Sequence, residues 1–315
     1  MALIEVTGLT KSYGSREVLR GIDLSVAEGE IVGILGPNGS GKTTAVECIG
    51  GLRARDSGEV HIAGMDPATD PLELREILGM QLQQCRLPGK IRVAEALDLY
   101  SAFYADPRPA AELMDRFGLT AHANQRFDTL SGGQQQRLSI ALALIGRPQI
   151  AFLDELTTGL DPAARREIWE YLKLLREEGV TMLLVTHFME EAAYLCDRVA
   201  ILGDGRIVAS GAPDEIAVAG GHQQTSFDSD PTIDLASLRA LPGVADVHTD
   251  RGRVIVSGDI GSPQTVLAAL SAAGGTARHL RVTSPSLDDA YLALTREAAT
   301  RADPSTAPTP SPKEA

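Results

Sequence analysis

Aromatic residues make up only 4% of this 315-residue chain, and it contains just three cysteines. The cysteines, Cys48, Cys85 and Cys196, have neither CxxC nor metal-ligand spacing, so they predict buried thiols in a reducing cytosol rather than a metal centre. The start, "MALIEVTGLTKSYG", lacks an apolar signal segment, and no window reaches about 18 uninterrupted apolar residues. If the protein works at a membrane, we expect another chain to supply the membrane spans.

Basic residues are also outnumbered: 29 Lys and Arg stand against 42 Asp and Glu, for a formal net charge of −13. This deficit argues against a nucleic-acid-binding protein, which usually carries a basic face, and its simplest interpretation is solubility. What is abundant is Ala, Leu, Val and Ile, which suit an α/β core. The length allows one large domain or two smaller ones.

The stretch "GPNGSGKT" fits the phosphate-loop pattern GxxxxGK[ST] in full. It follows the continuous apolar run "EIVGIL", typical of a buried parallel strand, and precedes a segment with helical spacing. The backbone amides of such a loop and the helix N-terminus bind phosphate, the lysine reaches the β- and γ-phosphates, and the hydroxyl of Thr43 can bind Mg²⁺. The predicted nucleotide-binding residues here are Gly36, Pro37, Asn38, Gly39, Ser40, Gly41, Lys42, Thr43 and Thr44.

Two further buried runs end in polar residues. "IAFLDE" places Asp154 where a second Mg²⁺ ligand is needed and Glu155 where a general base can polarise the attacking water. "VTMLLVTH" ends in His187, which we expect to contact the γ-phosphate and hold that water in line. Lys42, Glu155 and His187 are therefore the predicted catalytic residues, although a solvated strand end and an ordinary surface histidine are the alternatives for the last two.

A second glycine-rich turn, "LSGGQQQRL", opens another predicted helix, with Ser131 as its N-cap. Its serine hydroxyl and backbone amides form a second anion site. If this site cannot fold back onto its own phosphate loop, it must complete that of a neighbour. The sequence thus predicts two chains that enclose two ATP molecules head to tail, with Ser131, Gly132, Gly133 and Gln134 as further nucleotide contacts.

Taken together, these motifs resemble those of ABC-transporter ATPase subunits, in the family's order and over residues 1–216. The resemblance implies that Tyr13 stacks on adenine and that Gln83 is the Q-loop glutamine, which binds Mg²⁺ and senses the γ-phosphate; Gln84 is the neighbouring alternative. It also identifies Walker A, the signature, Walker B, the D-loop "TGLD" with Asp161, and the switch histidine, His187. Leu156 stands where the family usually has proline, a rigid turn element, which leaves the D-loop geometry open.

The implied fold is α/β: a P-loop NTPase with a RecA-like core, an antiparallel β subdomain and a helical signature subdomain, followed by a small α+β module. We expect an ATP-binding domain at 1–216, a small polar linker at 217–230, a ferredoxin-like accessory domain at 231–295 and a disordered tail at 296–315. The ending "SPSLDDAYLALT" resembles the daunorubicin-exporter branch, in which the permease is a separate polypeptide.

The resulting hypothesis is the ATP-hydrolysing motor subunit of a drug or antibiotic exporter, with ATP and Mg²⁺ as cofactors. It would sit as a homodimer at the cytoplasmic face of the membrane, bound to its permease through a groove at residues 83–104 that includes Leu87, Ile91 and Tyr104. The C-terminal module would stabilise the dimer or contact the permease. The alternatives are a lipid or other-substrate transporter, a soluble ABC ATPase of translation or DNA maintenance, and a metabolic kinase.

Overall fold

The computed structural model describes residues 2–82, 87–220, 222–228, 234–291 and 294. They form two compact units, one built from the described residues up to 213 and the other from the described residues between 214 and 294. Gln83, its alternative Gln84, Cys85 and the tail at 296–315 lie outside the described residues. Within the described part of the chain, no helix has the length and apolar character needed to cross a bilayer.

The first unit is centred on a six-stranded sheet with strand order β5-β6-β7-β3-β8-β9, in which only the last strand is antiparallel to its neighbour. The central strands are short apolar runs buried on both faces, as expected where helices cover a parallel sheet. The strands are β3 (Ile31–Leu35), β5 (Leu78–Gln81), β6 (Ile150–Asp154), β7 (Thr181–Val185), β8 (Arg198–Gly203) and β9 (Arg206–Gly211).

Three longer or more amphipathic strands form a separate antiparallel sheet in the order β2-β1-β4. These strands are β1 (Ala2–Tyr13), β2 (Arg16–Ala27) and β4 (Ser57–Ile62). Alternate side chains of this sheet, including Ile4, Leu24 and Val60, join one apolar core with the parallel sheet. Tyr13 is the last residue of β1, so the end of the central strand carries the predicted adenine-stacking aromatic.

The helices of the first unit connect these strands, and the helices that follow β3 and β6 begin after the carboxyl ends of those strands. They are α1 (Lys42–Ile49), α2 (Pro71–Ile77), α3 (Val93–Ser101), α4 (Ala110–Arg116), α5 (Gly132–Leu144), α6 (Pro162–Glu177) and α7 (Met189–Leu195). Two single 3₁₀ turns, Thr120–His122 and Phe127–Thr129, precede α5. This arrangement is the α/β fold with a helical insertion that the sequence predicts.

The second unit is a four-stranded antiparallel sheet with strand order β11-β12-β10-β13. Numbered within the unit, this is the order 2-3-1-4 of a split βαβ module. Its strands and helices are β10 (Gln223–Asp228), α9 (Leu235–Arg239), β11 (Val244–Asp250), β12 (Arg253–Gly258), α10 (Ser262–Ala272) and β13 (Arg278–Thr283). It has its own apolar core, built around Phe227, Val254 and Val256.

The assignment of residues 217–230 as a linker is wrong. Helix α8 (Pro213–Gly220) extends into this segment, and β10 is the strand that pairs with both β12 and β13. The residues of this segment are mostly small and polar. However, Thr225 and Phe227 are both buried, and their spacing of two is that of side chains on one face of a strand. The accessory unit therefore begins at Asp214 rather than at residue 231.

Candidate functional site

The phosphate loop lies between the buried end of β3 and the first turn of α1. Gly39 and Gly41 have φ values of 82° and 104°, a region that side-chain-bearing residues rarely adopt. At Gly36 the requirement is steric, since a Cβ there would lie 2.5 Å from the carbonyl oxygen of Leu202. The loop thus needs glycine for backbone shape and for close approach, and it presents the N-terminus of α1 to an anion.

Lys42 extends back over this loop. Its Nζ donates hydrogen bonds to the carbonyl oxygens of Gly36, at 2.7 Å, and Pro37, at 3.1 Å. Burial lowers the pKa of the Lys42 ammonium group, while the nearby charges of Glu155 and Asp154 act in the opposite direction. A buried cation therefore lies at the phosphate loop with two carboxylates close by.

Asp154 ends β6 directly beside the loop. Its Oδ2 accepts a hydrogen bond from Thr43 Oγ1 at 3.0 Å, and the residue is only 1% exposed. Burial raises the pKa of the Asp154 carboxyl to about 6, although the Thr43 hydrogen bond partly offsets this effect. The second oxygen, Oδ1, is buried and has no hydrogen-bond partner among the described residues.

The donor set at Thr43 and Asp154 fits Mg²⁺. A hydroxyl and a carboxylate are hard oxygen ligands, and Mg²⁺ at nucleotides usually takes one or two protein groups together with water and phosphate oxygens. The described residues include no cluster of three or more His, Cys, Asp and Glu side chains that would form an all-protein metal site. The unpartnered Asp154 oxygen is the observation that supports an ion at this position.

Glu155 follows the strand in a left-handed conformation, with φ of 51°, which costs a side-chain-bearing residue about 1–3 kcal/mol. Its backbone is fixed on both sides: its N–H donates to the Val185 carbonyl at 2.8 Å, and its carbonyl accepts from Gln136 Nε2 at 3.2 Å. The carboxylate Oε1 lies 3.5 Å from Nδ1 of His187. The ends of β6 and β7 therefore bring together the two predicted groups for water activation.

Gln136 was not among the predicted site residues. It lies three positions after Gly133 on α5, so both residues are on one face of the helix. At Gly133 a Cβ would approach Leu160 to 3.1 Å, which shows how closely this face packs on the segment after Glu155. The i, i+3 spacing within "GQQQ", residues 133–136, is the sequence signal that would have identified Gln136.

Ser131 caps α5 as the sequence predicts. Its Oγ accepts from the Gln134 backbone N–H at 3.3 Å, and Gln134 Oε1 accepts from the Ser131 N–H at 2.8 Å, a reciprocal capping box. Ser131 and Gly132 are exposed. Among the described contacts, no hydrogen bond or ion pair joins residues 131–134 to the phosphate loop at 36–43.

Asp161 and Tyr13 are two further predicted nucleotide contacts. Asp161 caps α6, and hydrogen bonds from the backbone of Ala164 and then Ala163 lower the pKa of its carboxyl. The ring of Tyr13 is 44% exposed, with the Arg53 guanidinium 5.4 Å from its centroid. Both side chains are accessible for contacts with molecules outside the chain.

Leu156, which stands at the family's usual proline position, is fully buried in the first unit. Its side chain thus contributes to packing at the start of the turn that leads to Asp161.

Residues 19–158 match the profile of the family described as ABC transporter. The chain is 34% identical to the daunorubicin resistance ATP-binding protein DrrA3 of Streptomyces coeruleorubidus, over 93% of this chain and 95% of that protein. It is 30% identical to the linearmycin resistance ATP-binding protein LnrL of Bacillus subtilis (strain 168), over 93% of this chain and 98% of that protein.

The solved structures with a similar fold are also ATP-binding cassettes. The fold is similar to a structure described as the ATP-binding subunit of an ABC transporter, with a TM-score of 0.63, 30% identity and coverage of 68% of this chain and 91% of that one. A dimeric post-hydrolysis state of the ATP-binding cassette MJ0796, bound to ADP and Pi, matches with a TM-score of 0.62 and 32% identity, over 66% of this chain and 98% of that one.

Proposed function

The chain belongs to the ABC transporter family, as an ATP-binding subunit that hydrolyses ATP, and we propose that it powers export of drugs or antibiotics through a separate membrane permease. Daunorubicin and linearmycin resistance are the functions in the names of its relatives, which the chain matches over nearly its whole length. The resemblance that the motifs indicate is confirmed at the level of family and fold.

The observation that carries the catalytic assignment is the pairing of Glu155 with His187 at the carboxyl ends of β6 and β7. In this proposal Glu155 accepts the proton of the attacking water, and His187 holds that water in line with the γ-phosphate. Lys42 exchanges its carbonyl partners for the β- and γ-phosphate oxygens, and residues 36–44 bind the remaining phosphate oxygens through their amides. Tyr13 offers the face on which adenine stacks.

Thr43 and Asp154 would hold Mg²⁺ at the phosphates. When bound, the ion neutralises charge on the transferring phosphoryl group. The chain's own contribution is the position of these two oxygen ligands, which the Thr43–Asp154 hydrogen bond already sets side by side. Gln83 remains a prediction as a third ligand, because it lies outside the described residues.

We assign the second anion site, Ser131 to Gln134, and Asp161 to the nucleotide of a second copy of the chain. Exposure of Ser131 and Gly132, and the absence of described hydrogen bonds from residues 131–134 to the chain's own phosphate loop, support this assignment. The dimeric state of the related cassette MJ0796 supports it as well. ATP would then join two subunits, and hydrolysis would release them.

The permease would bind near residues 87–104, at the cytoplasmic face of the membrane. Leu87 and Ile91 are half-buried, whereas the ring of Tyr104 lies against the backbone of Gly146. Phe103, by contrast, is 67% exposed. We therefore assign the permease contact to Leu87, Ile91 and Phe103 and give Tyr104 a packing role.

Glu155→Gln tests the catalytic assignment. The variant keeps the size of the side chain and removes the base, so we expect ATP binding within about threefold of wild type and turnover lower by about 10²–10⁴-fold. Both quantities are measured on the full chain with Mg²⁺, by nucleotide titration and by phosphate release. Glu177→Gln, at the exposed end of α6, is the matched control and should leave turnover unchanged.

The same variant tests the transport assignment. Because it should trap ATP-joined subunits, tagged Glu155→Gln protein solubilised from membranes with ATP should co-purify with a polytopic membrane protein in roughly equal amount. Recovery of ribosomal or DNA-bound proteins without a permease would overturn the export proposal and leave the ATPase assignment intact.

A further inference from the structure

A fully buried carboxylate, Glu191, joins two segments of the first unit through a single oxygen. Its Oε1 accepts a hydrogen bond from Thr157 Oγ1 at 2.8 Å and another from Trp169 Nε1 at 2.9 Å. Glu191 is 0% exposed, and its second oxygen, Oε2, is buried without a hydrogen-bond partner among the described residues.

Each of the three residues lies in a segment that also carries a residue of the proposed nucleotide site. Glu191 is in the first turn of α7, four positions after His187. Thr157 lies two positions after Glu155, and Trp169 is on α6, the helix that Asp161 caps. One acceptor atom therefore connects the switch histidine's segment with the turn that follows the general base and with the helix that follows the D-loop.

Stability alone gives little reason for an ionisable group here. Taking a carboxylate out of water costs several kcal/mol, and well-packed apolar residues often replace buried charged groups without loss of stability. Thr157 and Trp169 each need only one acceptor, which a neutral amide would supply as well. What the buried acceptor provides is a fixed distance between α7 and the turn at residues 155–160.

We propose that Glu191 is a positioning residue for ATP hydrolysis, which fixes His187 and Glu155 relative to each other by holding Thr157 and Trp169. It touches neither the nucleotide nor the attacking water. The proposal rests on the roles assigned above to Glu155 and His187. Small misplacements of catalytic groups lower turnover steeply and leave ground-state binding nearly intact. We therefore expect loss of the Glu191 acceptor to lower kcat and to leave KM nearly unchanged.

The test compares three variants of the full chain in steady-state ATP hydrolysis with Mg²⁺. Glu191→Leu removes the acceptor at similar volume, and we expect kcat at least about tenfold lower with KM for ATP changed less than about twofold. Glu191→Gln retains an acceptor oxygen, so it should keep kcat within about threefold of wild type. Glu190→Leu, on the exposed neighbouring residue, is the matched control and should leave both parameters unchanged.

Trp169 is the only tryptophan of the chain, so its emission reports directly on the fold at this junction. A buried-type emission spectrum and a wild-type melting temperature in Glu191→Leu would exclude general unfolding as the cause of a lower kcat. If that variant does not fold, Thr157→Val removes one of the two donors alone. A lower kcat in Thr157→Val then supports the proposal, and wild-type kcat overturns it.

Two results in the Glu191 variants would overturn the proposal: an unchanged kcat in Glu191→Leu, or an equal loss in Glu191→Gln. Neither result bears on the catalytic roles proposed for Glu155 and His187, which fail separately if Glu155→Gln hydrolyses ATP at the wild-type rate. The two failures are therefore distinguishable in one assay.

Discussion

At the scale of single residues, Asp154 has the environment most opposed to its charge among the carboxyls of the proposed site. It lies at the buried end of β6 with one oxygen on Thr43 and the other without a described partner. Its pKa is raised from 3.8 to about 6, chiefly by burial. The position favours either a proton or a cation at this carboxyl, which is the property required of a residue that binds a metal only together with nucleotide.

This shift predicts how stability depends on pH in protein freed of nucleotide and metal by chelation. A carboxyl whose pKa is higher in the folded than in the unfolded state binds its proton more tightly when folded. Its contribution to unfolding free energy therefore falls as pH rises through the window from about 4 to 6. The full penalty is about 3 kcal/mol at pH 8 and about half of that at pH 5.

Asp154→Asn should remove this dependence. We expect the variant to be more stable than wild type at pH 8, by up to about 3 kcal/mol, and less so at pH 5. Urea denaturation at the two pH values with a chelator present measures the difference, and Glu177→Gln should keep the wild-type dependence. An equal effect of Asp154→Asn at both pH values would show that the carboxyl titrates normally.

At the scale of elements, α5 combines a structural and a proposed functional role in one residue, Ser131. Its hydroxyl oxygen accepts the capping hydrogen bond from the Gln134 backbone, and the residue is exposed, so it is also accessible to a second copy of the chain. A plain loss-of-function variant such as Ser131→Ala would mix the two effects, because loss of a cap alone costs about 1 kcal/mol. Aspartate separates them, since it is an equally good N-cap but carries a negative charge.

We therefore expect Ser131→Asp to keep its unfolding free energy within about 0.5 kcal/mol of wild type and to lose ATP-dependent dimerisation, because the carboxylate repels the partner's triphosphate. The dimer is trapped in the Glu155→Gln background and measured by analytical ultracentrifugation. Asp234→Ser makes the reverse exchange at the N-cap of α9 and should leave the dimer intact. A Ser131→Asp dimer of wild-type affinity would contradict the role assigned to the signature turn.

The elements that carry the site were predictable, since each is specified by local sequence. A continuous apolar run ending in Asp154 indicates a buried strand, and a serine before "GGQ" indicates a helix N-terminus. The start of the accessory unit at β10 was misplaced by the linker assignment, because a six-residue strand has only Thr225 and Phe227 to mark its inward face. Short strands with polar outward residues resemble loops in sequence, and their pairing partners lie far along the chain.

Contacts between distant segments could not be predicted from the sequence. Nothing in the spacing of Thr157, Trp169 and Glu191 shows that one oxygen joins them, because that geometry depends on how α6 and α7 pack. The left-handed backbone at Glu155 was likewise unpredicted, since glutamate has no preference for it. Tertiary contacts impose that conformation, including those from Val185 and Gln136.

At the scale of the whole molecule, the chain has two separate apolar cores, and the described nucleotide-site residues all belong to the first unit. A unit with an apolar core of its own can in principle fold and unfold by itself. We expect calorimetry to resolve two transitions, of which Mg²⁺ and ATP raise the midpoint of one only. A single transition that shifts as a whole with ATP would show that the units unfold together.

Phe227→Ala should identify the other transition. The side chain is 0% exposed at the centre of the second core, so truncation should cost that unit about 3–5 kcal/mol. We expect a lower midpoint for the ATP-insensitive transition and unchanged nucleotide affinity. Leu280→Ala, on the exposed strand β13, is the control and should move neither transition by much.

The two hydrogen bonds from Lys42 to its own loop have a consequence for nucleotide capture. The lysine cation already has the carbonyl oxygens of Gly36 and Pro37 as a resident pair of ligands. Because the ammonium group has three N–H donors, contact with both the β- and the γ-phosphate displaces at least one carbonyl oxygen. Nucleotide binding is therefore in part an exchange of a neutral acceptor for an anionic one. The site should therefore discriminate between ligands by the charge on their oxygens. A ligand with weakly charged oxygens gains little binding free energy from this exchange, and a triphosphate gains most.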